Sequence, residues 1–436
     1  MTTTAAESTD QAESALLDQH KQFLSETKPA GALLSLNEAA IQRFEVLKFP
    51  YRKHEMYTFV NTKDIAAAPY VFSYGASVSE DFVRKHVYAD CEKSVLILVD
   101  GVYRENLSDI SNASIRLLPI AEALSQPDIK SYLASTIANE NDVFACINSA
   151  FLNHGLMIDV PEKAQSDSPL QILHVSTGSP AGKVTTLPRV LVRLGRMAEL
   201  KLIVKYAGVQ GNYFVNSVLD VLAGEDAGVQ FTQIQQDDRN AWHCSKTRIA
   251  LSRNSRFYAS NASYGSKLTR HHYEAHLKET GAELRLNGVS VLTGAEQVHN
   301  FVRIHHEAPH CVSNQQFKNI VNDHSRSSID GTVIVNQGAQ LTVSDQLINN
   351  LMLSDNAHAD NKPNLMIFAD DVKCTHGATI GQINEDQLFY LKTRGLSTKV
   401  AKELLTKSFA ESIIQTIAFP AVVEDLENTL LKKLEA

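Results

Sequence analysis

Over the first 165 residues apolar positions recur mostly at helical spacing. From Ala12 to Leu24, the positions Ala15, Leu16, Phe23 and Leu24 fit one face of a short helix. A second helix follows from Asn37, with Ala40, Ile41, Phe44 and Leu47 at helical spacing and Pro50 ending it. Val95-Leu96-Ile97-Leu98-Val99 has the length and composition of a strand, and Asp100-Gly101 supplies a tight hairpin turn into Val102-Tyr103. Residues 1–10 are small and polar and are expected to be disordered. Residues 11–165 are expected to form a mixed, mostly helical domain.

Near Pro169 the pattern changes. Over residues 166–383 short alternating runs are separated by Gly, Asn, Asp and Ser, with hardly any 3.6-residue periodicity. Leu200, Val229, Phe257, Leu284 and Leu341 mark one series of runs, at steps of 29, 28, 27 and 57, the last being two periods. Leu219, Ile249, Ala275, Arg303 and Val333 mark a second series between them, at steps of 30, 26, 28 and 30. Two strand series sharing a period near 28 indicate a repeat architecture. Without intervening helices, the expected fold is a parallel β-helix, mainly β, in preference to a β-sandwich.

Residues 384–436 return to helical spacing. Asn384 with Gln387 resembles a capping box, Gly395 sits where a C-cap belongs, and Ser397 starts a helix carrying Val400, Leu404, Leu405, Ile413, Ile414 and Ile417. Pro420 closes it, and Val423, Leu426, Leu430 and Leu434 line a last amphipathic helix. This tail is expected either to cap the last coil or to offer an apolar face to a partner.

Composition narrows the function. The 436 residues include 41 Lys plus Arg against 49 Asp plus Glu, with no basic block, which argues against nucleic acid or an anionic membrane as main partner. No run approaches the roughly 20 apolar residues of a bilayer helix, and the N-terminus lacks the features of a secretory signal. The five cysteines, Cys91, Cys146, Cys244, Cys311 and Cys374, are scattered and never form C-x-x-C. A disulfide framework or a four-cysteine zinc site within the chain is excluded, and a reduced, cytoplasmic location is expected.

Several candidate motifs fail on spacing. Ser176-Thr177-Gly178-Ser179-Pro180-Ala181-Gly182-Lys183 has three residues between its glycines and Val184 after its lysine, so it is a turn and not a phosphate loop. Nine of the sixteen histidines lie between residues 243 and 324, and His271-His272, His276, His305-His306 and His310 raise a metal hypothesis. Neighbouring histidines on a strand point to opposite faces, so each pair offers at most one ligand to a given site. Core hydrogen bonding or solvation is the preferred role for any single one. Asp237-Asp238 and Asp370-Asp371 suggest calcium, as in a calcium-dependent β-helical polysaccharide lyase, for which Asp370, Asp371, Lys373 and Arg394 would line the cleft. That is the alternative function. Turn aspartates are common, however, and no secretion signal is recognisable.

The segment from Phe368 to Gly377 is more informative. If extended, it places Asp370, Val372, Cys374 and His376 on one face, with the Cys and His roots roughly 7 Å apart. Thiolate and imidazole could then share a metal, but two ligands cannot complete a tetrahedral site, so the rest would come from another chain.

At these residues a family becomes recognisable. Lys362-Pro363-Asn364-Leu365, Phe368-Ala369-Asp370-Asp371-Val372-Lys373-Cys374-Thr375-His376-Gly377-Ala378-Thr379-Ile380-Gly381 and Gln387-Leu388-Phe389-Tyr390-Leu391-Lys392-Thr393-Arg394-Gly395-Leu396 closely resemble signatures of the SufB/SufD family of the SUF iron–sulfur cluster assembly system. Pro309-His310-Cys311, Ser313-Asn314-Gln315 and Lys318 resemble its P-H-C-x-S-N-x-x-x-K run, and Val99-Asp100-Gly101-Val102-Tyr103, Asn148-Ser149-Ala150-Phe151 and Pro188-Arg189 fit its middle. The likeness covers about residues 40–415. It lies on the SufD side of the family, since the SufB branch has E-H-E-A-T at the last strand. The chain departs from the pattern at Lys53-His54-Glu55-Met56-Tyr57-Thr58, which lacks a tryptophan, and at Leu341, where lysine is usual.

The resemblance implies a right-handed parallel β-helix between helical terminal domains. It further implies a non-catalytic scaffold subunit in a complex with a SufB-like paralogue and two copies of a SufC-like ABC-type ATPase. The C-terminal helices would dock the ATPase, with Phe389, Tyr390, Arg394, Leu404 and Leu405 as partner-binding residues. Cys374 and His376 match the family's C-x-H at the junction of the two β-helices. They would help hold iron or a transient iron–sulfur cluster, with His376 the foremost iron ligand. Related complexes bind reduced flavin, a cofactor expectation on which the sequence itself is silent.

Overall fold

The computed structural model describes residues 5–50, 54–68, 70–73, 76–111, 114–166, 168–178, 184–209 and 211–435. Most of the expected phosphate-loop look-alike, residues 179–183, lies outside them, as do residues 1–4 of the segment expected to be disordered. The first helix, Ala5–Thr27, reaches back into that segment.

The centre is a β-solenoid of about seven turns. Each coil contributes one strand to each of two parallel sheets. The first face runs from Arg189–Leu194 through Tyr213–Ala223, Trp242–Leu251, Leu268–Leu277, Gln297–His306 and Arg326–Val335 to His358–Ile367. The second runs from Leu170–Ser176 through Glu199–Gly208, Gly228–Gln236, Arg256–Ser263, Glu283–Leu292, Val312–Val321 and Thr342–Met352 to Val372–Gly381. Strands from residues 11–165, expected to be a mixed, mostly helical domain, extend these sheets. Val95–Val99 pairs in parallel with Leu170–Ser176, and Leu156–Val160 with Arg189–Leu194. The Asp100-Gly101 hairpin forms as expected, both residues having positive φ, which a type I′ turn demands.

Exact register sharpens the repeat. On the second face Leu200, Val229, Phe257 and Leu284 stack in one column, as the spacing predicts. The column continues through Ser313 and Ser344, not Leu341. Leu341 belongs to a column of corners instead. Met197, Asp226, Asn254, Gly281, His310 and Leu341 all have positive φ just before a second-face strand. Corner backbone bonds, such as His310 N–H to Gln340 C=O at 3.0 Å, link successive coils there. On the first face the true column is Val221, Ile249, Ala275, Ile304, Val333 and Leu365. Leu219 and Arg303 miss it by two residues and one. All but Leu365, half-buried in the last coil, are buried.

Helices cover both faces. Leu16, Phe23, Leu36, Phe44, Phe144 and Phe151 of the N-terminal helices pack against Leu191, Phe214, Trp242 and Leu268 of the first face. Beneath this layer lies a buried ionic seam. Asp142, the N-cap of the helix Val143–Ala150, accepts from Arg270 at 2.6 Å, lies 2.7 Å from His272 Nδ1, and accepts from the Tyr57 hydroxyl at 2.9 Å. Glu140 pairs with Lys246 at 2.6 Å and with Arg248, while Asp220 accepts from Arg189 at 2.6 Å and Arg248 at 2.8 Å. Pairing is what makes such burial of charge tolerable.

The C-terminal tail does not cap the last coil. Ile413, Ile414, Ile417, Val422, Leu426 and Leu430 lie along the flank of the second face, against Ile203, Ile234, Val289, Val291, Ile320 and Leu351. Asn384 and Ser397 cap their helices as expected, by accepting from Gln387 N–H and Val400 N–H. Pro420 opens the last helix, Pro420–Glu435.

Burial holds several solenoid histidines neutral. It pushes His174 and His299 down to about 3, and His272 and His306 down to about 4. The unfolded chain therefore binds more protons than the folded one between these values and about 6.5. The contribution of these four histidines should be complete above pH ~6.5 and be lost as pH drops toward 4. Urea unfolding midpoints measured across that range test this expectation; a flat profile would contradict it.

Candidate functional site

The inside of the solenoid changes chemistry along its length. The inward column that begins Leu200, Val229, Phe257, Leu284 continues as Ser313, Ser344 and Cys374. Two residues further along each strand, Leu202, Phe231, Ala259 and Leu286 are followed by Gln315, Gln346 and His376. The first four members of both columns belong to the apolar core. The next two are polar and buried. Cys374 and His376 are thus the last rungs of two polar ladders, on the inward side of the final strand.

This polar interior is hydrogen bonded but incompletely. His306 Nε2 lies 2.8 Å from Ser313 Oγ, which lies 2.9 Å from Ser344 Oγ. Gln346 Nε2 donates to Gln315 Oε1 at 3.5 Å. Gly331 on the facing wall leaves room for the Gln346 amide, which a Cβ there would strike. Gln315 Nε2, Gln346 Oε1 and His306 Nδ1 find no partner among the described residues. Buried polar atoms left this way are costly, and they call for a polar guest such as water.

The site opens at the end of the stack. Strands His358–Ile367 and Val372–Gly381 terminate the two sheets, each with one edge unpaired among the described residues. Cys374 is half-buried, packed beside Val333, Val335 and Leu365, while His376 is exposed. Burial pushes the Cys374 thiol up, partly offset by a hydrogen bond from the Ser344 backbone. Around the rim Met366, Ile367, Phe368 and Ile380 are exposed, Phe368 at 60%.

Other sequence candidates separate. Phe389 and Tyr390 on the helix Glu385–Thr393 and Leu404 on Thr398–Ile414 are exposed, and Val400 shares the face of Leu404 one turn away. Leu405 is half-buried, and Arg394 packs its guanidinium over Tyr390 at 5.1 Å. The Asp237 side chain is buried and engaged by His243, Gln235 and Tyr213, so its oxygens are turned to donors of this chain and not to solvent. Asp370, Asp371 and Lys373 are exposed around a turn and at a strand start. His271 points inward to Ser245 and Ser263, whereas His272 points outward to Asp142, so the adjacent pair divides as expected. Spacing alone did not single out Ser344 and Gln346, and it named His306 only as one of a pair of candidate metal ligands. The signal was present, since Ser313-x-Gln315, Ser344-x-Gln346 and Cys374-x-His376 recur one coil apart.

A sequence profile described as SUF system FeS cluster assembly, SufBD core domain, matches residues 175–409, and one described as SufBD protein N-terminal region matches residues 7–172. The fold and the profiles together define an iron–sulfur cluster assembly protein. The chain belongs to the SufB/SufD family. It is 28% identical to an iron–sulfur cluster assembly SufBD family protein of Synechocystis, over 88% of this chain and 87% of the relative. It is 25% identical to the iron–sulfur cluster assembly protein SufD of Escherichia coli, over 84% of this chain and 85% of that one. With the chloroplastic protein ABCI7 of Arabidopsis thaliana it shares 32% identity, over 64% of this chain and 60% of the relative.

Four of the five cysteines are buried and Cys374 is not. Brief treatment of the native chain with iodoacetamide should therefore label one thiol, and Cys374→Ser should abolish that labelling. The rate should climb with pH through a midpoint above the ordinary ~8.5, because the thiol is pushed up. Rapid labelling at two or more sites would contradict this exposure pattern.

Proposed function

We propose that this chain is a non-catalytic scaffold subunit that handles iron and nascent iron–sulfur cluster at an interface with a SufB-like paralogue, using His376 and Cys374. The observation that carries this role is the pair of inward polar ladders ending in a thiol and an imidazole at an unpaired coil. Iron and cluster are cargo here, and a thiolate with a neutral imidazole suits both. Two ligands leave the coordination unfinished, so the paralogue supplies the remainder.

Its docking would lengthen the stack, each exposed edge strand accepting a strand from the partner coil by coil or edge to edge. The apolar rim of Met366, Ile367, Phe368 and Ile380 would then be buried. A SufC-like ATPase would bind the exposed Phe389, Tyr390, Val400 and Leu404, with Arg394 and Leu405 beside them. Nucleotide hydrolysis would belong to that subunit. Reduced flavin is an expectation for the assembled complex, and no residue of this chain is assigned to it.

Purification of the tagged chain with its native partners tests each part. His376→Ala should leave the complex assembled but lower its iron and sulfide content after reconstitution; unchanged loading would remove the ligand role. Phe389→Ala combined with Leu404→Ala should lose the ATPase while retaining the paralogue, and Phe368→Asp should do the reverse. If both variants retain every partner, these surfaces are not the docking sites.

A further inference from the structure

The outer side of the first face holds a second group of metal-ligating side chains, unused by the proposed role. His276 lies near the end of the strand Leu268–Leu277, and the register sets His305 directly beside it on the next coil. Their imidazoles are stacked, with centroids 4.5 Å apart and planes 4° apart. Glu274, two residues before His276, points to the same side of its strand. Ligand atoms of Glu274, His276 and His305 all lie within 4.8 Å of one another. Glu307, just past the His305 strand, brings Oε1 to 2.6 Å from His276 Nδ1.

The chemistry of this set is that of a cation site. Two imidazoles and a carboxylate from two rigid, hydrogen-bonded strands match the two-histidine, one-carboxylate arrangement that leaves metal positions open. Metal–ligand bonds of about 2.0–2.2 Å require the donors to close to roughly 3 Å from one another. Side-chain rotation can supply that movement while the backbone ladder stays fixed. The group is also reachable, since the side chains of His276, Glu307 and Glu274 are 33%, 32% and 18% exposed. The second Glu274 oxygen is held by Lys246 at 2.7 Å, and Lys246 is itself neutralised by Glu140 at 2.6 Å. This outer contact fixes the carboxylate orientation, as partners of metal ligands usually do. Arg303, the register neighbour of Glu274, is turned away to Asp330 at 2.9 Å.

We propose that Glu274, His276 and His305, with Glu307 beside them, form a binding site for a divalent first-row transition ion of the zinc, cobalt(II) or iron(II) class. The site is on the outer surface of the first face, whereas Cys374 and His376 are on the inward side of the second. It stands or falls independently of the cargo role proposed above.

Cobalt(II) is a suitable probe because its visible absorption reports coordination. The full chain carrying Cys374→Ser and His376→Ala, which removes the other candidate ligands, should take up one cobalt(II) with a saturable visible band. Substitution of both His276→Ala and His305→Ala should weaken that binding by at least about 100-fold with the circular dichroism spectrum unchanged. Glu274→Gln, which preserves shape, should weaken it about tenfold. Were the double variant to fold poorly, His305→Gln alone, read by the same titration, decides. Absence of saturable binding to the parent chain, or unchanged affinity in the folded histidine variants, overturns the site.

Discussion

A strand in a parallel stack satisfies its backbone only through the coils before and after it, so every coil must present the same path to its neighbour. That constraint organises this molecule. It demands a left-handed backbone corner at one place in each turn, met from Met197 to Leu341 by whatever residue falls there. It forces inward side chains into columns one strand spacing apart. It also leaves the terminal coil with edges that pair with no other strand among the described residues. Protein edges of that kind are ordinarily covered or blunted. Here the chain's own tail lies along the flank and leaves them open.

The period of the solenoid was readable because strict stacking imprints itself on spacing. Leu200, Val229, Phe257 and Leu284 found their true register from apolar alternation alone. The same reasoning slipped at Leu341, where the column had turned polar and an exposed corner leucine took the marker's place. Arg303 misled for a similar reason, being adjacent to the inward Ile304. The placement of the tail could not be read, because an amphipathic helix announces an apolar face without saying what it covers. Cys374 and His376 were legible from motif and alternation. The polar ladders beneath them needed the register.

The helical layers and the solenoid are joined on both sides by apolar packing together with ion pairs. The C-terminal helices rest on an apolar seam of isoleucine, valine and leucine, pinned by Asp425 to Lys205 at 2.8 Å and by Lys433 to Glu296. The N-terminal layer adds the ionic seam of Asp142, Glu140 and Asp220 against Arg270, Lys246, Arg248 and Arg189. Apolar contacts tolerate sliding, whereas paired buried charges accept only one arrangement without large cost. On both flanks paired charges therefore fix how the helices sit on the coils, with the denser set beneath the N-terminal helices.

The coil is also a unit of length. Adjacent strands are separated by about 4.8 Å, so the number of turns sets the distance between any flank position and the open end. The C-terminal helices grip the flank from Ile203 as far as Leu351, on the second-face strand just before the last one, and the stack holds that grip at a fixed distance from the open end. Gain or loss of a single coil would move the thiol and imidazole of the final strand by one such step relative to anything bound at the flank. An insertion within a corner loop would leave that distance untouched. Coil number, more than coil sequence, is therefore the quantity that two partners reading opposite ends of this molecule would measure.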